Sequence, residues 1–345
     1  MGSLTSLRQA SRLLLLKSLA KLFRALILTV ARLTSHQKPN PDLIEYIPAT
    51  PTTTKTNKKD TPNPTHKIKT HIYYPPPSTN PTPPSPVLIT ACGSGFIAPG
   101  LGLDDPYCRL IATQTSHTVI DVRYRLAPED PFPCALEDIA SVVSWVLAQP
   151  ERFDPARISI GGFSAGANLA VSVAVNYFPP KTFWALLAFY PVLDAARDPG
   201  AKEAVAGTGR PALGGMGSVP AVVMRFMRDC YVAGEDGGEG SAESVGGGEG
   251  CLLKDPRVSP AYAEVGRFPA RCFFVTCEFD CLARETEELA GRIQGGGDGE
   301  EGRKVVVHRV KGCGHAFDKT VKVGSERERV RDEVYGMVVD MLRGD

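Results

Sequence analysis

One segment has the residue types of a serine nucleophile on a tight turn. Residues 162–166 read Gly-Phe-Ser-Ala-Gly, the G-x-S-x-G pattern in which a strand turns sharply into a helix. The strand-like run Arg157–Ile160 precedes the turn, and a helical pattern over 165–177 follows it. Such a turn strains the central residue and places it at a helix N-terminus, where free N–H groups favour negative charge. The pattern predicts Ser164 as a nucleophile; the alternative is a tight structural turn.

A serine nucleophile needs a base, and two histidines follow Ser164 in the chain. His308 lies inside the alternating run 305–310, which is typical of a strand, whereas His315 lies in a glycine-rich loop just beyond that run. Where a G-x-S-x-G turn carries the serine, an acid and then a histidine follow it. The sequence therefore predicts His315 as the base.

The histidine in turn needs a carboxylate that orients it and stabilises the imidazolium. Asp280 follows the strand-like run Cys272–Cys277 and is the predicted acid. Glu278 lies closer to the strand, Glu285 falls on the next helical pattern, and Asp194 follows an earlier strand. We therefore interpret these three carboxylates as structural.

Acyl transfer also needs N–H donors aimed at the oxyanion of the tetrahedral intermediate. One predicted donor is Ala165, directly after the nucleophile. The others are Ser94 and Gly95, in the loop Ala-Cys-Gly-Ser-Gly-Phe that follows the strand-like run Val87–Thr90. A plain turn is the alternative, but it leaves the concentration of glycine at a strand end unexplained.

The elements that must position these residues alternate between strands and helices. Such alternation predicts a mostly parallel sheet with helices on both faces, and ligands of such sheets bind at the carboxyl ends of the strands. The predicted strands are 67–74, 87–90, 118–122, 157–160, 183–189, 272–277 and 305–309, and the predicted helices are 135–148, 165–177, 283–293 and 326–343.

Length and composition exclude several classes of protein. The chain has 345 residues, of which 43% are hydrophobic and 22% charged. These values exclude a wholly disordered chain and a membrane protein with many spans. The net charge is +1, but residues 1–41 hold seven Lys or Arg and no acid, which leaves about −6 on the rest. A basic nucleic-acid-binding domain is therefore not expected.

Several segments lie outside the alternating pattern. Residues 7–33 form a basic, apolar segment that predicts an amphipathic helix, either packed on the body of the protein, lying on a membrane surface or serving as a mitochondrial presequence. Its longest uncharged stretch, 25–31, is too short to span a bilayer. The Pro-rich segments 49–64 and 75–86 and the Gly-rich acidic segments 234–250 and 295–302 are predicted as solvated loops.

Further motifs surround the candidate residues. They read Y-R-L-A-P-E-D-P-F-P-C-A-L-E-D at 124–138, Y-P-V-L-D at 190–194, S-P at 259–260, D-C-L-A-R-E at 280–285 and G-C-G-H-A-F at 312–317. With the segments 92–96 and 162–170, they resemble the hormone-sensitive-lipase-like branch of the α/β-hydrolases, which comprises carboxylesterases, lipases and deacetylases. The resemblance covers about residues 65–345.

This resemblance implies an α/β-hydrolase fold with a mostly parallel, eight-stranded sheet, helices on both faces and a helical cap. The cap would combine an N-terminal segment, 1–48, with an insertion at about 195–250 of the hydrolase domain 49–345. Two departures from the family pattern bear on the site: Cys92 replaces a histidine and Ser94 a glycine. Ser94 can donate its N–H if it adopts the required φ; the alternative is a reshaped hole with lowered activity.

The implied function is hydrolysis of carboxylic esters with short-to-medium acyl or aryl groups through an acyl-enzyme intermediate. The alternatives are an amidase or deacetylase with the same triad, and a non-catalytic ligand-binding relative. Phe96, Met224 and Met227 are candidate pocket walls, or otherwise part of an ordinary cap core. We expect a small-molecule ester as the partner and no nucleic acid. Peripheral membrane contact through residues 7–33 is the alternative to their packing on the body of the protein.

Serine hydrolysis requires neither a cofactor nor a metal, and we expect none. The nine cysteines show no regular spacing, so free thiols in a reducing, cytoplasmic compartment are expected; the basic N-terminus leaves membrane association or a mitochondrial location as alternatives. Cys277, Cys281 and Cys313 flank the candidate acid and base, and we interpret them as packed thiols rather than as metal or redox groups.

Overall fold

The computed structural model describes residues 2–34, 38–50, 66–76, 83–206, 209–233, 252–296 and 303–344. Eight strands of these residues form one sheet in the order β1-β2-β4-β3-β5-β6-β7-β8. The strands are β1 (Leu43–Pro48), β2 (Lys67–Tyr73), β3 (Ser85–Ala91), β4 (Thr118–Val122), β5 (Phe153–Phe163), β6 (Ala185–Phe189), β7 (Arg271–Cys277) and β8 (Lys304–Val310).

The sheet is antiparallel at one edge and parallel elsewhere. β1 pairs with β2, and β2 with β4, in antiparallel register, whereas every pair from β4 to β8 is parallel. Strands β4 and β6 are buried along their whole length, because helices cover both faces of the parallel part. The predicted α/β fold with a mostly parallel sheet is confirmed.

Helices cover the two faces of the sheet in separate apolar clusters. On one face, α3 (Cys134–Leu147), α4 (Ala165–Asn176) and α7 (Ala283–Gly295) pack through residues such as Ile139, Leu169 and Ile293. On the other face, α2 (Asp105–Thr115) and α8 (Glu326–Arg343) pack through Tyr107, Ile111 and Val338. The sheet therefore has an apolar core on each face, and the loops at the strand ends are left to carry chemistry.

Three helices lie outside these layers: α1 (Gly2–Thr34), α5 (Pro199–Ala206) and α6 (Ala221–Tyr231). Leu16 of α1 is buried in a small apolar cluster with Cys230 of α6, which Phe23 and Phe226 extend. The guanidinium of Arg24 donates hydrogen bonds to the carbonyl oxygens of Ile97 and Ala127, at 2.6 and 2.7 Å. None of the described helices is both long and apolar enough to cross a membrane.

Several boundaries differ from the sequence predictions. Strand β3 begins at Ser85, so the predicted loop 75–86 ends earlier, and β5 extends from Phe153 to Phe163 rather than over 157–160. Strand β1 and helix α2 are not among the elements that the sequence predicts. The segment 234–250, together with 51–64, 77–82 and 297–302 of the other predicted loops, lies outside the described residues.

Candidate active site

The turn between β5 and α4 holds Ser164 in a strained backbone conformation. Its φ is 51° and its ψ −117°, a region that L-residues rarely occupy. A Cβ on Gly162 would lie 2.6 Å from the carbonyl oxygen of Ala91, and one on Gly166 would overlap that same oxygen. The two glycines therefore allow β5, α4 and the end of β3 to approach closely enough to form the turn.

Three predicted residues meet at this turn in a hydrogen-bonded chain. Nε2 of His315 lies 2.9 Å from Oγ of Ser164, and its Nδ1 lies 2.7 Å from Oδ2 of Asp280. The other carboxylate oxygen, Oδ1 of Asp280, accepts a hydrogen bond from the backbone N–H of Leu282 at 3.1 Å. Because the carboxylate accepts the proton on Nδ1, Nε2 is left as the acceptor for the serine hydroxyl.

The alternative histidine and acids lie elsewhere or have other partners. His308 lies inside β8, opposite Val275 of β7. Glu278 accepts the N–H of Gly312, at 2.7 Å. Glu285 is buried on α7 in an ion pair with Lys202, 2.6 Å away. Asp194 accepts the N–H groups of two residues that follow it, Ala196 and Arg197. These contacts agree with a structural role for the three carboxylates.

The three predicted oxyanion donors lie around Ser164. A Cβ placed on Gly93, beside Ser94, would lie 3.4 Å from the Cβ of Ser164, so the loop 92–96 runs directly past the nucleophile. Ala165 is the first residue of α4, where a backbone N–H has no partner within the helix. Within the described part of the chain, none of the backbone N–H groups of Ser94, Gly95 and Ala165 donates a hydrogen bond. All three N–H groups are therefore available to an oxyanion.

The replacement of glycine by Ser94 is accommodated by a side-chain network. Oγ of Ser94 lies 2.5 Å from the hydroxyl of Tyr124, which itself donates to the carbonyl oxygen of Cys92 at 2.8 Å. The same Oγ accepts the N–H of Phe96 at 2.9 Å. The positive φ values fall on Gly95 and Phe96, at 57° and 67°, and not on Ser94. The positive φ of Phe96 is not predicted by the sequence.

The family model described as "alpha/beta hydrolase fold" matches residues 88–319. The chain belongs to this family. Among curated relatives, the esterase LipI of Mycobacterium tuberculosis is 36% identical over 113 residues, 32% of this chain and 35% of that protein. Lipase 2 of a Moraxella species is 25% identical over 270 residues, 73% of this chain and 60% of that protein. The match to LipI thus spans about a third of that relative.

Solved structures show the same fold at lower sequence identity. The carboxylesterase EstE1, cloned from a metagenomic library, superposes with a TM-score of 0.69 at 23% identity, covering 94% of this chain and 97% of that one. An esterase of Pyrobaculum calidifontis superposes with a TM-score of 0.68 at 20% identity, covering 95% and 92%. The predicted α/β-hydrolase fold is thereby confirmed.

In this α/β-hydrolase, a segment from the region before α6 pairs with the loop that carries His315. The N–H of Met216 donates to the carbonyl oxygen of His315 at 2.9 Å, and the N–H of Leu213 donates to that of Gly312 at 2.9 Å. The N–H of Gly314 donates in the opposite direction to Gly214, at 3.1 Å. This backbone pairing fixes the histidine loop from outside the sheet, and no local sequence pattern predicted it.

A buried ionic network lies behind the histidine. The ring of Tyr190 packs edge-on against that of His315, with centroids 4.7 Å apart, and its hydroxyl donates to Asp318 at 2.6 Å. Lys319 forms ion pairs with both Asp318 and Asp104. Burial alone would raise the pKa of Asp318, but Lys319 and the tyrosine hydrogen bonds outweigh it and lower this pKa. Asp318 therefore stays ionised and holds Tyr190 against the histidine.

The cysteines near the site lie in surroundings that raise their pKa values. Burial raises the pKa of Cys92 well above its ordinary value, and raises that of Cys281 to about 11. A thiol needs a lowered pKa to act as a nucleophile or metal ligand near neutral pH. All cysteines in the described part of the chain are free, and the same residues contain no group of three or more metal-ligating side chains that could hold an ion.

The three candidate pocket residues lie where α6 meets the site loops. The Met227 sulfur lies so close to the Cα of Gly95 that any Cβ at position 95 would overlap it. The thiol of Cys281, next to the acid, lies 3.6 Å from the sulfur of Met224. Phe96 is stacked on Tyr231 of α6, with ring centroids 4.0 Å apart. Helix α6 thus reaches from the loop 92–96 to the loop that carries Asp280.

Proposed function

We propose that this α/β-hydrolase is a carboxylesterase that uses Ser164 as its nucleophile. The observation that carries the proposal is the continuous hydrogen-bonded chain from Ser164 through His315 to Asp280. The chemistry of such a chain is acyl transfer, because it supplies a nucleophile, its base and an orienting acid in one line. The names of the relatives, an esterase and a lipase, support the same class.

In the proposed mechanism, His315 removes the proton of Ser164 as its Oγ attacks the ester carbonyl. The N–H groups of Ser94, Gly95 and Ala165 stabilise the oxyanion of the tetrahedral intermediate. His315 then gives the proton to the departing alkoxide, and an acyl-serine is formed. Water, activated by the same histidine, releases the carboxylic acid and restores the free serine.

The proposed substrates carry short-to-medium acyl or aryl groups. Met224 and Met227 present flexible, polarisable side chains to the two site loops, and such side chains adapt to apolar groups of varied shape. We further propose that α1, α5 and α6 act together as the cap of the hydrolase. In this arrangement Met227 must turn away from Gly95 when an acyl group enters, and the cap sets chain-length preference.

The experiment is hydrolysis of p-nitrophenyl esters of graded chain length by the full chain and by two serine variants. Ser164→Ala is expected to lower kcat by about 10⁴-fold or more. Ser144→Ala, at an exposed position on α3, serves as the matched control and is expected to retain full activity. Equal rates for all three proteins would contradict the proposed function.

Two further measurements separate the alternatives. A fluorophosphonate probe is expected to label the wild-type chain and not Ser164→Ala, which tests the nucleophile apart from the substrate. A p-nitroanilide with the same acyl group compares amide with ester cleavage. A faster rate on the anilide would favour the amidase, and labelling of neither protein would favour a non-catalytic ligand-binding relative.

A further inference from the structure

Helix α1 has two faces with different surroundings. Its inner face is anchored to the body through the buried side chains of Leu16 and Ala20 and the hydrogen bonds of Arg24. Its outer face carries large apolar side chains in solvent. Leu15, Leu19, Leu22 and Leu26 are 58%, 41%, 68% and 63% exposed, and no described residue covers this face.

These four leucines form a single stripe. Their spacing is four, three and four residues, which at 100° per residue confines them to a sector of roughly 60°. Exposed large apolar residues scattered singly over a surface need no explanation, whereas a contiguous row marks an interaction surface. We call these residues the leucine stripe.

The charge of the segment that carries the leucine stripe has one sign. Each charged residue in 1–41 is basic, whereas the remaining chain sums to about −6. At 100° per residue, Lys17 and Lys21 lie on the side of α1 opposite the stripe. A long helix with exposed leucines, basic side chains and no acid is typical of segments that lie in the plane of a membrane surface. Anionic headgroups attract such a segment and bring the apolar side chains into contact with the acyl boundary.

We propose that the leucine stripe is a docking surface for an anionic lipid membrane. A second copy of the chain fits less well for two reasons. It would bring together two helices of the same positive charge, and a stable dimer buries about 800 Å², or 20–30 residues, on each partner. Four leucines over three helical turns supply only a small part of such an interface, but they suffice for peripheral lipid contact supported by charge.

The proposed docking surface lies beside the candidate active site. The inner face of α1 contacts α6 through Phe23 and Phe226, whose ring centroids are 6.3 Å apart. Met227 of the same helix α6 packs against Gly95 of the loop 92–96. A membrane held on the outer face of α1 would therefore lie next to the helix that covers the site. The proposal itself concerns binding and does not depend on the esterase activity.

The test is flotation of the full chain with vesicles of phosphatidylcholine alone and of phosphatidylcholine mixed with phosphatidylglycerol. Leu19→Gln/Leu22→Gln is expected to lower the partition coefficient on the mixed vesicles about tenfold or more. The matched control is Leu103→Gln/Val323→Gln, which replaces two exposed apolar residues outside α1 and is expected to bind like the wild type. Lys17→Gln/Lys21→Gln is expected to weaken binding only to the anionic vesicles, most clearly at low salt.

Three results would overturn the proposal. They are equal binding to both kinds of vesicle, equal binding by the leucine variant and the wild type, and a wild-type dimer that the leucine variant converts to a monomer in light scattering. Circular dichroism verifies that each variant folds, and Leu22→Gln alone replaces the double variant if that chain misfolds. Binding is measured on Ser164→Ala as well, so failure of the docking surface and failure of the esterase proposal are distinguished.

Discussion

The loops at the carboxyl ends of the strands and the helices α1 and α6 meet at one site but are fixed in different ways. Ser164, Asp280 and His315 are carried by loops at the ends of strands. Buried hydrogen bonds and close glycine contacts hold them there, against backbone strain at Ser164. Helices α1 and α6 are held by a small apolar cluster and by a few polar contacts, and α1 exposes a row of leucines.

This difference separates the chemistry from the selection of substrate. The proposed catalytic atoms have to stay within hydrogen-bond distance of one another, and the sheet can hold them there because its strands pair along their length. Besides the stacking of Tyr231 on Phe96, the contacts of α6 with the site are made by methionine sulfurs, which adapt to what they touch. We therefore expect changes in the loops at the strand ends to alter kcat. Changes in α1 and α6 are expected to alter mainly substrate selectivity and membrane binding.

The largest effect is expected at the histidine. His315→Ala removes the base that contacts both Ser164 and Asp280, and we expect kcat on a p-nitrophenyl ester to fall by about 10⁴-fold or more. His308→Ala, within β8, is the matched control and is expected to change the rate less than twofold. If the control lost activity and His315→Ala kept it, the assignment of the base would be wrong.

A smaller effect is expected where the two regions touch, at Gly95. Gly95→Ala adds a Cβ at φ 57° and against the sulfur of Met227, which displaces one proposed oxyanion donor. Loss of one donor lowers kcat by about 10²-fold or more. Gly217→Ala is the control, because the space around Gly217 is open and its φ is not positive.

The double variant Gly95→Ala/Met227→Ala divides this effect between the two regions. It removes the clash with α6 but leaves the backbone strain, which costs about 1–2 kcal/mol for an L-residue in this region. We expect the double variant to recover part of the lost kcat, and never all of it. Full recovery would show that the helix, rather than the loop backbone, determines the position of the donor.

The sequence predicted the two regions unequally, and the reason is physical. The turn at Ser164 is encoded locally, since both glycines of G-x-S-x-G lie within two residues of the serine they allow. The missed strand β1 lies at the sheet edge with most of its residues exposed or half-buried, so it lacks a buried apolar run. The contacts of Met227 with Gly95 and of Met216 with His315 join residues far apart in the chain, and no local spacing encodes them.

The smallest effect on activity, and a distinct effect on stability, is expected from a buried carboxyl group within the sheet. Asp121 on β4 is fully buried, and burial followed by the nearby charge of Asp104 raises its pKa to about 8. The folded chain therefore keeps a proton on Asp121 that the unfolded chain releases near pH 4. The stability contributed by this proton is present at low pH and is lost as the pH rises from about 4 to about 8.

Asp121→Asn removes the titration but retains an oxygen that can accept the N–H of Gly102, which in the wild type donates to Oδ2 of Asp121 at 2.9 Å. We expect the Tm of this variant to fall less than that of the wild type between pH 5 and pH 8, and the activity below pH 7 to be unchanged. Asp229→Asn on α6 is the control, because Asp229 pairs with Arg12 at the surface, where ion pairs contribute little. Equal pH profiles of Tm for the wild type and Asp121→Asn would show that the buried carboxyl is not the source, and a flattened profile for Asp229→Asn would place the pH dependence in the helices instead.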